Sequence, residues 1–553
     1  MECSPRSFDY GTLQTLVVRA SYGKNNTQGL EKKISLIGTS ANPPATPSVD
    51  FSDVARMRGS SSWLMRHNAA LTIAAATVAP VIYVAFIDRY AINSFFDDDW
   101  TVIPMVHAAL HGHLSLSQLW SQHNESRLFV GNAIIVVFGF VDRLDLRSVI
   151  FFSAVALIAS YAGLLILLRR YLGKQLTPIP VLVVGVIWFS LADVENAFWA
   201  FQVSWYLTVF FFVMVLVALL IPINHRMTWF AAAVFLASAA SLTTIQGFLC
   251  WPIGAICLLW NRRLTGRVRA EITVWAGAAV VNLALYLPGY SFGKGEGPTC
   301  LNPRSCSTAV LLHHPLRALE FFIALIGNVI PGTPVNANVV HDLARYELVG
   351  AALLIVAVFV LRQSWRYRAS SEHLPLPLLL IVFSLLFDLI ITLGRGATGL
   401  SEAVIDDRFV MANLILIAGI AIYAYAHLPR RSQAVADGPW RVSMTYLALS
   451  VLAIFLIFQT VTATDFGVTN GSTLSEERSQ EAQLIVYVQS TPVLNSELGC
   501  QMYLFFLPLS FKSYFREAHA DQLGEFNPNS YRRLLELGPP SPPSPCRRLQ
   551  PRT

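Results

Sequence analysis

The sequence predicts an all-α polytopic integral membrane protein, and three observations carry that expectation. Hydrophobic residues make up 54% of the 553-residue chain and charged residues 13%. Apolar runs of membrane-spanning length recur between Ala69 and Thr462. Lys and Arg fall in short clusters between those runs, as the positive-inside rule expects of cytoplasmic loops. The net charge of +6 is thereby accounted for by membrane topology, and no nucleic-acid partner is expected.

Residues 1–68 read as a disordered cytoplasmic leader. They are polar, lack periodicity, and lack the charged-then-apolar layout of a secretory signal. Met57 and Met65 lie shortly before the first span, so a start further along the chain stays open. The spans follow from asking which arrangement keeps all basic clusters on one side. The clusters at Arg169, Arg170 and Lys174, at Arg262 and Arg263, at Arg362 and Arg366, and at Arg430 and Arg431 share a side only if two short apolar segments, Leu128–Val141 and Leu316–Pro331, do not cross. Each is short of the roughly twenty residues a bilayer requires and is expected to be interfacial or re-entrant. About eleven transmembrane helices remain: 69–87, 148–168, 176–192, 203–223, 228–245, 247–260, 271–288, 346–361, 374–393, 409–426 and 443–462. A domain over 69–462 is followed by an outer-face region, 463–553, expected to be a small domain up to about 537 and disordered after about 538, where Pro and Ser dominate. Within it, Gln483–Val488 has β-compatible alternation.

The outer face collects the unusual residues. It holds the first loop, 88–147, a turn around Asp193, Glu195 and Asn196, and a loop with Cys300 and Cys306. An oxidising compartment permits a Cys300–Cys306 disulfide there, with unpaired loop thiols as the alternative. In the first loop, Asp97, Asp98 and Asp99 precede Trp100. Ile103, Val106 and Leu110 then recur at helical spacing, with His107 and His111 one turn apart. Ser117 is placed to cap a second short helix carrying Leu119 and Trp120. The whole predicts an amphipathic shelf on the membrane surface.

Three adjacent carboxylates repel, which suits them to accept a proton or to hold a divalent cation. A base beside a lipid headgroup can deprotonate an acceptor hydroxyl as it attacks an activated sugar carbon. The competing reading is that the three Asp cap the helix after them, and the residues alone leave both open. The pattern requires no cofactor; it admits one divalent cation, Mg²⁺ or Mn²⁺, on Asp97 and Asp98. For His107 and His111, packing is favoured over metal ligation, because the pair lacks the glutamate of a zinc-protease motif. Asp388, set among apolar residues in a span, requires a partner or a water-filled cavity, and Arg395 is its nearest candidate.

Asp97-Asp98-Asp99-Trp100, with Gln122-His123-Asn124-Glu125-Ser126-Arg127, Arg143-Leu144, Arg169 to Lys174, Glu195 to Gln202, Gln246-Gly247, Trp251-Pro252, Gly394-Arg395-Gly396 and Asp406-Asp407-Arg408-Phe409, resemble the GT-C fold of membrane glycosyltransferases, in particular a poorly characterised bacterial branch. The likeness covers roughly 69–462. It implies a transferase that moves a hexosyl or pentosyl group from a polyprenyl-phosphate-linked donor to a glycan, lipid or protein acceptor of the cell envelope. It also implies a plasma (inner) membrane location with the active site facing the periplasm or exterior. It further implies a base among Asp97, Asp98 and Asp99 and donor phosphate held by outer-face Arg, for which Arg395 and Arg408 are the candidates, with snorkelling helix anchors as the alternative. Trp100 and Arg127 are expected as further substrate contacts. Glu195 and Gln202, which flank the aromatic run Phe198, Trp199 and Phe201, suit a sugar site where that run is not an interfacial belt. Two positions depart from the pattern: Phe409 stands where Tyr is expected and Ser126 where His is expected. The rival functions are a transporter or flippase of lipid-linked saccharides, in which Asp97 to Asp99 and Asp388 would couple protons, and an O-antigen polymerase or ligase.

Overall fold

The computed structural model describes residues 51–537 except 174–175, 222–224, 261–265, 292–312, 332–338, 367–375, 397–398, 401, 406, 428–438 and 491–511. Two compact units divide the chain, Met1–Ser61 and Ser62–Thr553. Among the described residues the first contributes only the start of one helix, and the second holds all the other elements.

The longer helices are α1 (Phe51–Tyr90), α2 (Ile103–Leu110), α3 (Phe129–Asp142), α4 (Leu146–Leu172), α5 (Pro178–Trp188), α6 (Val203–Leu220), α7 (Arg226–Ser241), α8 (Cys250–Leu259), α9 (Gly266–Tyr286), α10 (Pro315–Gly327), α11 (Val339–Arg366), α12 (Leu376–Arg395), α13 (Val410–Ala426), α14 (Pro439–Ser490), α15 (Lys512–Ala520) and α16 (Pro528–Leu537). Local signals set their ends. The Asp145 carboxylate accepts the Arg147 amide at 3.0 Å to start α4. Gly173, at φ +60°, ends it in the left-handed conformation that glycine adopts without strain. Arg169 and Arg170 fill its last turn, where cations oppose the negative end of the helix dipole.

Among the described residues, eight helices are long and apolar enough to cross a membrane, and the chain is a multi-pass membrane protein. These eight coincide with eight of the expected spans. The other three expected spans, 176–192, 228–245 and 247–260, fall on α5, α7 and α8, of 11, 16 and 10 residues. The two segments expected not to cross form the short helices α3 and α10, of 14 and 13 residues.

The interior is aromatic and tightly packed. Phe212 of α6 stacks on Phe383 of α12 with ring centroids 3.8 Å apart. Close approach between α10 and α11 needs glycine on both sides: a methyl on Gly327 would strike the Tyr346 carbonyl, and one on Gly350 would strike the Ile323 carbonyl.

Helix α14 corrects an expectation. It runs unbroken for 52 residues, about 78 Å at the α-helical rise and far more than the hydrocarbon thickness. The boundary expected at residue 463 falls inside it. So does Gln483–Val488, whose apparent alternation belongs to a helix: Leu484, Ile485, Val486 and Val488 are all buried, three of them consecutive, which the two-residue period of a strand does not give. A second correction concerns the short helix Leu116–Leu119, which is capped by Ser115 rather than Ser117. The Ser115 hydroxyl accepts the Gln118 amide at 3.3 Å, and the Gln118 side chain accepts the Ser115 amide at 2.8 Å.

Replacing Gly350 with Val is expected to cost about 1–3 kcal/mol through backbone displacement at the α10–α11 crossing. Thermal unfolding of the detergent-purified protein by intrinsic fluorescence measures this, and an unchanged midpoint would contradict the close crossing.

Candidate functional site

The acidic turn is a short 3₁₀ helix, Asp97–Val102, between α1 and α2. Its three carboxylates take three different directions. Asp99 turns inward and is buried; its Oδ2 accepts the Phe96 amide at 3.1 Å and its Oδ1 the Phe201 amide at 2.9 Å. Beside it, Glu525, also buried, accepts the Phe95 amide at 3.0 Å. Two successive amides leading into the turn are thus held by carboxylates from opposite ends of the chain. Burial pushes the Asp99 carboxyl up to about 8, against the pull of Arg478 and the two amides, and pushes Glu525 up to about 8 as well. Asp97 sits at φ +43°, a left-handed conformation unusual for a non-glycine residue. Although Asp97 is exposed as a whole, partial desolvation of its carboxyl and the neighbouring Asp98 raise it to about 6.

Asp98 is the carboxylate that faces a cleft. The cleft has a cavity volume of about 70 Å³, opens to solvent, and gathers the first loop (Asp98, His123 to Ser126), Phe201 and Gln202 just before α6 with Trp205 in its first turn, Thr244 and Gln246, the end of α12 (Ile390, Gly394, Arg395) and Arg408 with Phe409. A two-stranded hairpin pairs Gln122 with Arg127 and His123 with Ser126, turning through Asn124 at φ +47°. This projects His123 toward the turn, with Nε2 3.1 Å from Asp98 Oδ2, and it brings Glu125 against Arg395, Nε to Oε1, at 2.9 Å.

The two arginines differ in their surroundings. Arg395 bridges Glu125 and Glu402, the latter at 3.2 Å. Arg408 has Glu195 at 3.8 Å, and its guanidinium lies 5.3 Å from the Phe409 ring centroid and 5.8 Å from that of Trp199. The chain around it is fixed from the 193–198 turn: Asn196 donates to the Arg408 carbonyl at 2.8 Å and to Asp193 at 2.6 Å, and the Glu195 amide reaches Asp407 at 3.2 Å.

Of the expected site residues, the cleft therefore unites Asp98, Gln202, Arg395 and Arg408. The others lie outside its lining. Trp100 is buried between Phe95 and Phe515, at centroid distances of 4.8 and 4.7 Å. Arg127 is buried as a latch, giving its three guanidinium nitrogens to the carbonyls of Tyr286, Trp120 and Pro288. Glu195 lies behind Arg408, which lines the cleft. Asp388 is fully buried in α12 and Arg395 is engaged elsewhere; among the described residues neither Asp388 carboxylate oxygen has a hydrogen-bond partner. Cys300 and Cys306, and also Asp406, lie outside the described residues.

Sequence reading missed the groups that hold the turn from behind. Arg478 of α14 is buried, donates to the Phe198 carbonyl and lies 4.2 Å over the Phe96 ring. Glu481 is buried one turn further on. In the sequence both sit in a charged run, Glu476 to Glu481, that resembles a solvated helix face, and Glu525 carries no signal at all. Among the described residues, Asp97 and Asp98 do not belong to any group of three metal-capable side chains with convergent donor atoms; His107, His111 and Asp521 form one.

No known protein family matches the chain, and no curated protein or solved structure is detectably similar to it.

A buried carboxyl whose proton is held more tightly in the folded state than in the unfolded chain contributes stability that is full below the ordinary carboxylate range and lost as pH rises through its folded value. With Asp99 and Glu525 both raised to about 8, the unfolding midpoint is expected to fall from about pH 5 to about pH 9. In the Asp99→Asn/Glu525→Gln variant the slope is expected to flatten, whatever the variant's own stability. Thermal unfolding across that range checks it, and an equal slope in both proteins would contradict the buried pair.

Proposed function

We propose that the protein is a membrane glycosyltransferase that moves a sugar from a polyprenyl-phosphate-linked donor to a glycan, lipid or protein acceptor of the cell envelope. The observation that carries this reading is the convergence, in one cleft, of Asp98 with His123 and of Arg395 with Arg408. A carboxylate and two guanidinium groups at the edge of apolar helices match the two charges of the reaction: a proton leaving the acceptor hydroxyl and a phosphate leaving the anomeric carbon.

In this account Asp98 accepts the proton of the acceptor hydroxyl as its oxygen bonds to the anomeric carbon. His123, 3.1 Å away, orients the carboxylate. The bond from the anomeric carbon to the phosphate oxygen breaks, and the polyprenyl phosphate departs with the electron pair. Arg408 takes that charge, because it lines the cleft and its fork geometry suits phosphate. Arg395, already bridging two carboxylates, shapes the wall. Gln202 and Gln246 offer hydrogen bonds to sugar hydroxyls, with Phe201 and Trp205 as faces for the ring. The site faces the exterior of an inner membrane in this reading. A divalent cation on Asp97 and Asp98 is not required by it.

A second reading, proton-coupled transport of lipid-linked saccharides, is favoured by one observation: the buried Asp388 carboxylate without a hydrogen-bond partner among the described residues.

Protein reconstituted in nanodiscs and supplied with a panel of polyprenyl-phosphate hexoses and pentoses separates the two readings. Asp98→Asn is expected to lower transfer by about 10²–10⁴-fold, and Arg408→Ala to weaken donor use by about ten- to a hundredfold, the value of a charge-assisted hydrogen bond. Transfer unaffected by Asp98→Asn would remove the base, and no transfer by the wild type, with proton-dependent flux of a lipid-linked saccharide in vesicles lost in Asp388→Asn, would favour transport.

A further inference from the structure

We infer that His107, His111 and Asp521 form a binding site for one divalent transition-metal ion, Zn²⁺ or a congener, that fastens the first-loop helix α2 to the C-terminal segment after α15. The inference rests on ligand chemistry and placement and is independent of the transferase reading.

His107 and His111 stand four residues apart and so project from one face of α2. Their ring centroids are 4.4 Å apart. Asp521 closes the group from the far end of the chain, with Oδ2 2.6 Å from His107 Nδ1 and Oδ1 3.0 Å from His111 Nε2. All the donor atoms lie within 4.8 Å of one another. In a tetrahedral site with metal–ligand bonds of about 2.0–2.2 Å, donor atoms sit about 3.3 Å apart. A metal ion therefore enters by widening the two imidazole–carboxylate separations by less than about 1 Å and closing the widest donor separation, up to 4.8 Å, by about 1.5 Å, within the reach of side-chain rotation.

The donor set points to the ion class. Two imidazoles and one carboxylate suit borderline cations such as Zn²⁺, whereas Mg²⁺ and Ca²⁺ prefer all-oxygen shells. Exposure is graded in the same sense. The Asp521 side chain is 7% exposed while those of His107 and His111 are 36% and 52% exposed, so the carboxylate is fixed and the open side of the site meets solvent. The surrounding structure holds both halves in place. The Asp521 amide bonds the Glu517 carbonyl at 3.0 Å, and the His111 amide bonds the His107 carbonyl at 3.1 Å. Phe515 packs on Trp100 a few residues away. Without metal, the same atoms are satisfied when both imidazoles donate to the carboxylate, so the site persists in either state and the ion adds a bond between segments more than 400 residues apart, as the separations of 414 and 410 show.

The test uses the full-length protein in detergent, stripped with chelator and titrated with Co²⁺ and then Zn²⁺. One equivalent of Co²⁺ is expected to bind with visible d–d absorption and to be displaced by Zn²⁺. Asp521→Asn and His107→Ala/His111→Ala are expected to weaken binding about a hundredfold or more. Asp521→His, which restores a ligand, is expected to recover the absorption, and Asp98→Asn to leave the stoichiometry unchanged. Absence of one tight equivalent in the wild-type protein would overturn the inference without recourse to any variant. Equal binding by wild type and by folded Asp521→Asn would overturn it too, as would loss of the equivalent in Asp98→Asn.

Discussion

Burial of the Asp99 carboxylate is the constraint on which the candidate site depends. Its two oxygens hold amides from two separate segments, Phe96 at the entrance to the acidic turn and Phe201 at the start of α6. That double attachment fixes the turn against the helix bundle. Because the anchor is desolvated, it is also costly, and the protein opposes that cost with Arg478 behind it, while Glu525 alongside holds the neighbouring Phe95 amide. Once Asp99 is turned inward, the short 3₁₀ geometry leaves Asp98 directed into the cleft. One carboxylate serves structure so that its neighbour can face solvent and substrate.

The same constraint accounts for the extent of the chain drawn into the site. Arg478 lies on α14, and Glu525 lies beyond α15, so the turn near residue 97 is completed by residues some 400 positions later. Gly524 reinforces this: its carbonyl accepts the Asn93 side chain at 3.0 Å and its amide bonds the Arg143 carbonyl at 3.1 Å. The C-terminal segment thus acts as a strap across the first loop. A site assembled from so many separate segments is rigid where Asp99 and Arg127 are buried and open where Asp98, His123 and Arg408 line the cleft.

The class and most of the span positions were legible in the sequence because apolar runs and basic clusters are local signals that the bilayer enforces directly. Ile103, Val106 and Leu110 likewise announced α2 by their spacing. The site was legible only in part. Asp98, Gln202, Arg395 and Arg408 stood out because charged or polar residues at the ends of apolar runs are rare. Trp100 and Arg127 stood out for the same reason, yet pack as a core ring and as a latch on three carbonyls. Nothing local distinguishes a guanidinium bound to carbonyls from one facing a cleft. Arg478 and Glu481 were hidden in an apparent surface run, since only the tertiary contacts of α14 bury them. The apolar alternation of Gln483–Val488 resembled a strand because six residues are too few to separate the two periods.

The most direct test of this account is mass spectrometry of envelope glycans and lipid-linked sugars from cells expressing wild type or Asp98→Asn at matched levels of intact, membrane-inserted protein. The account predicts a sugar on an acceptor with wild type only, with its polyprenyl-phosphate donor accumulating in the variant. Identical glycans and lipid-linked sugars in the two cultures would contradict it.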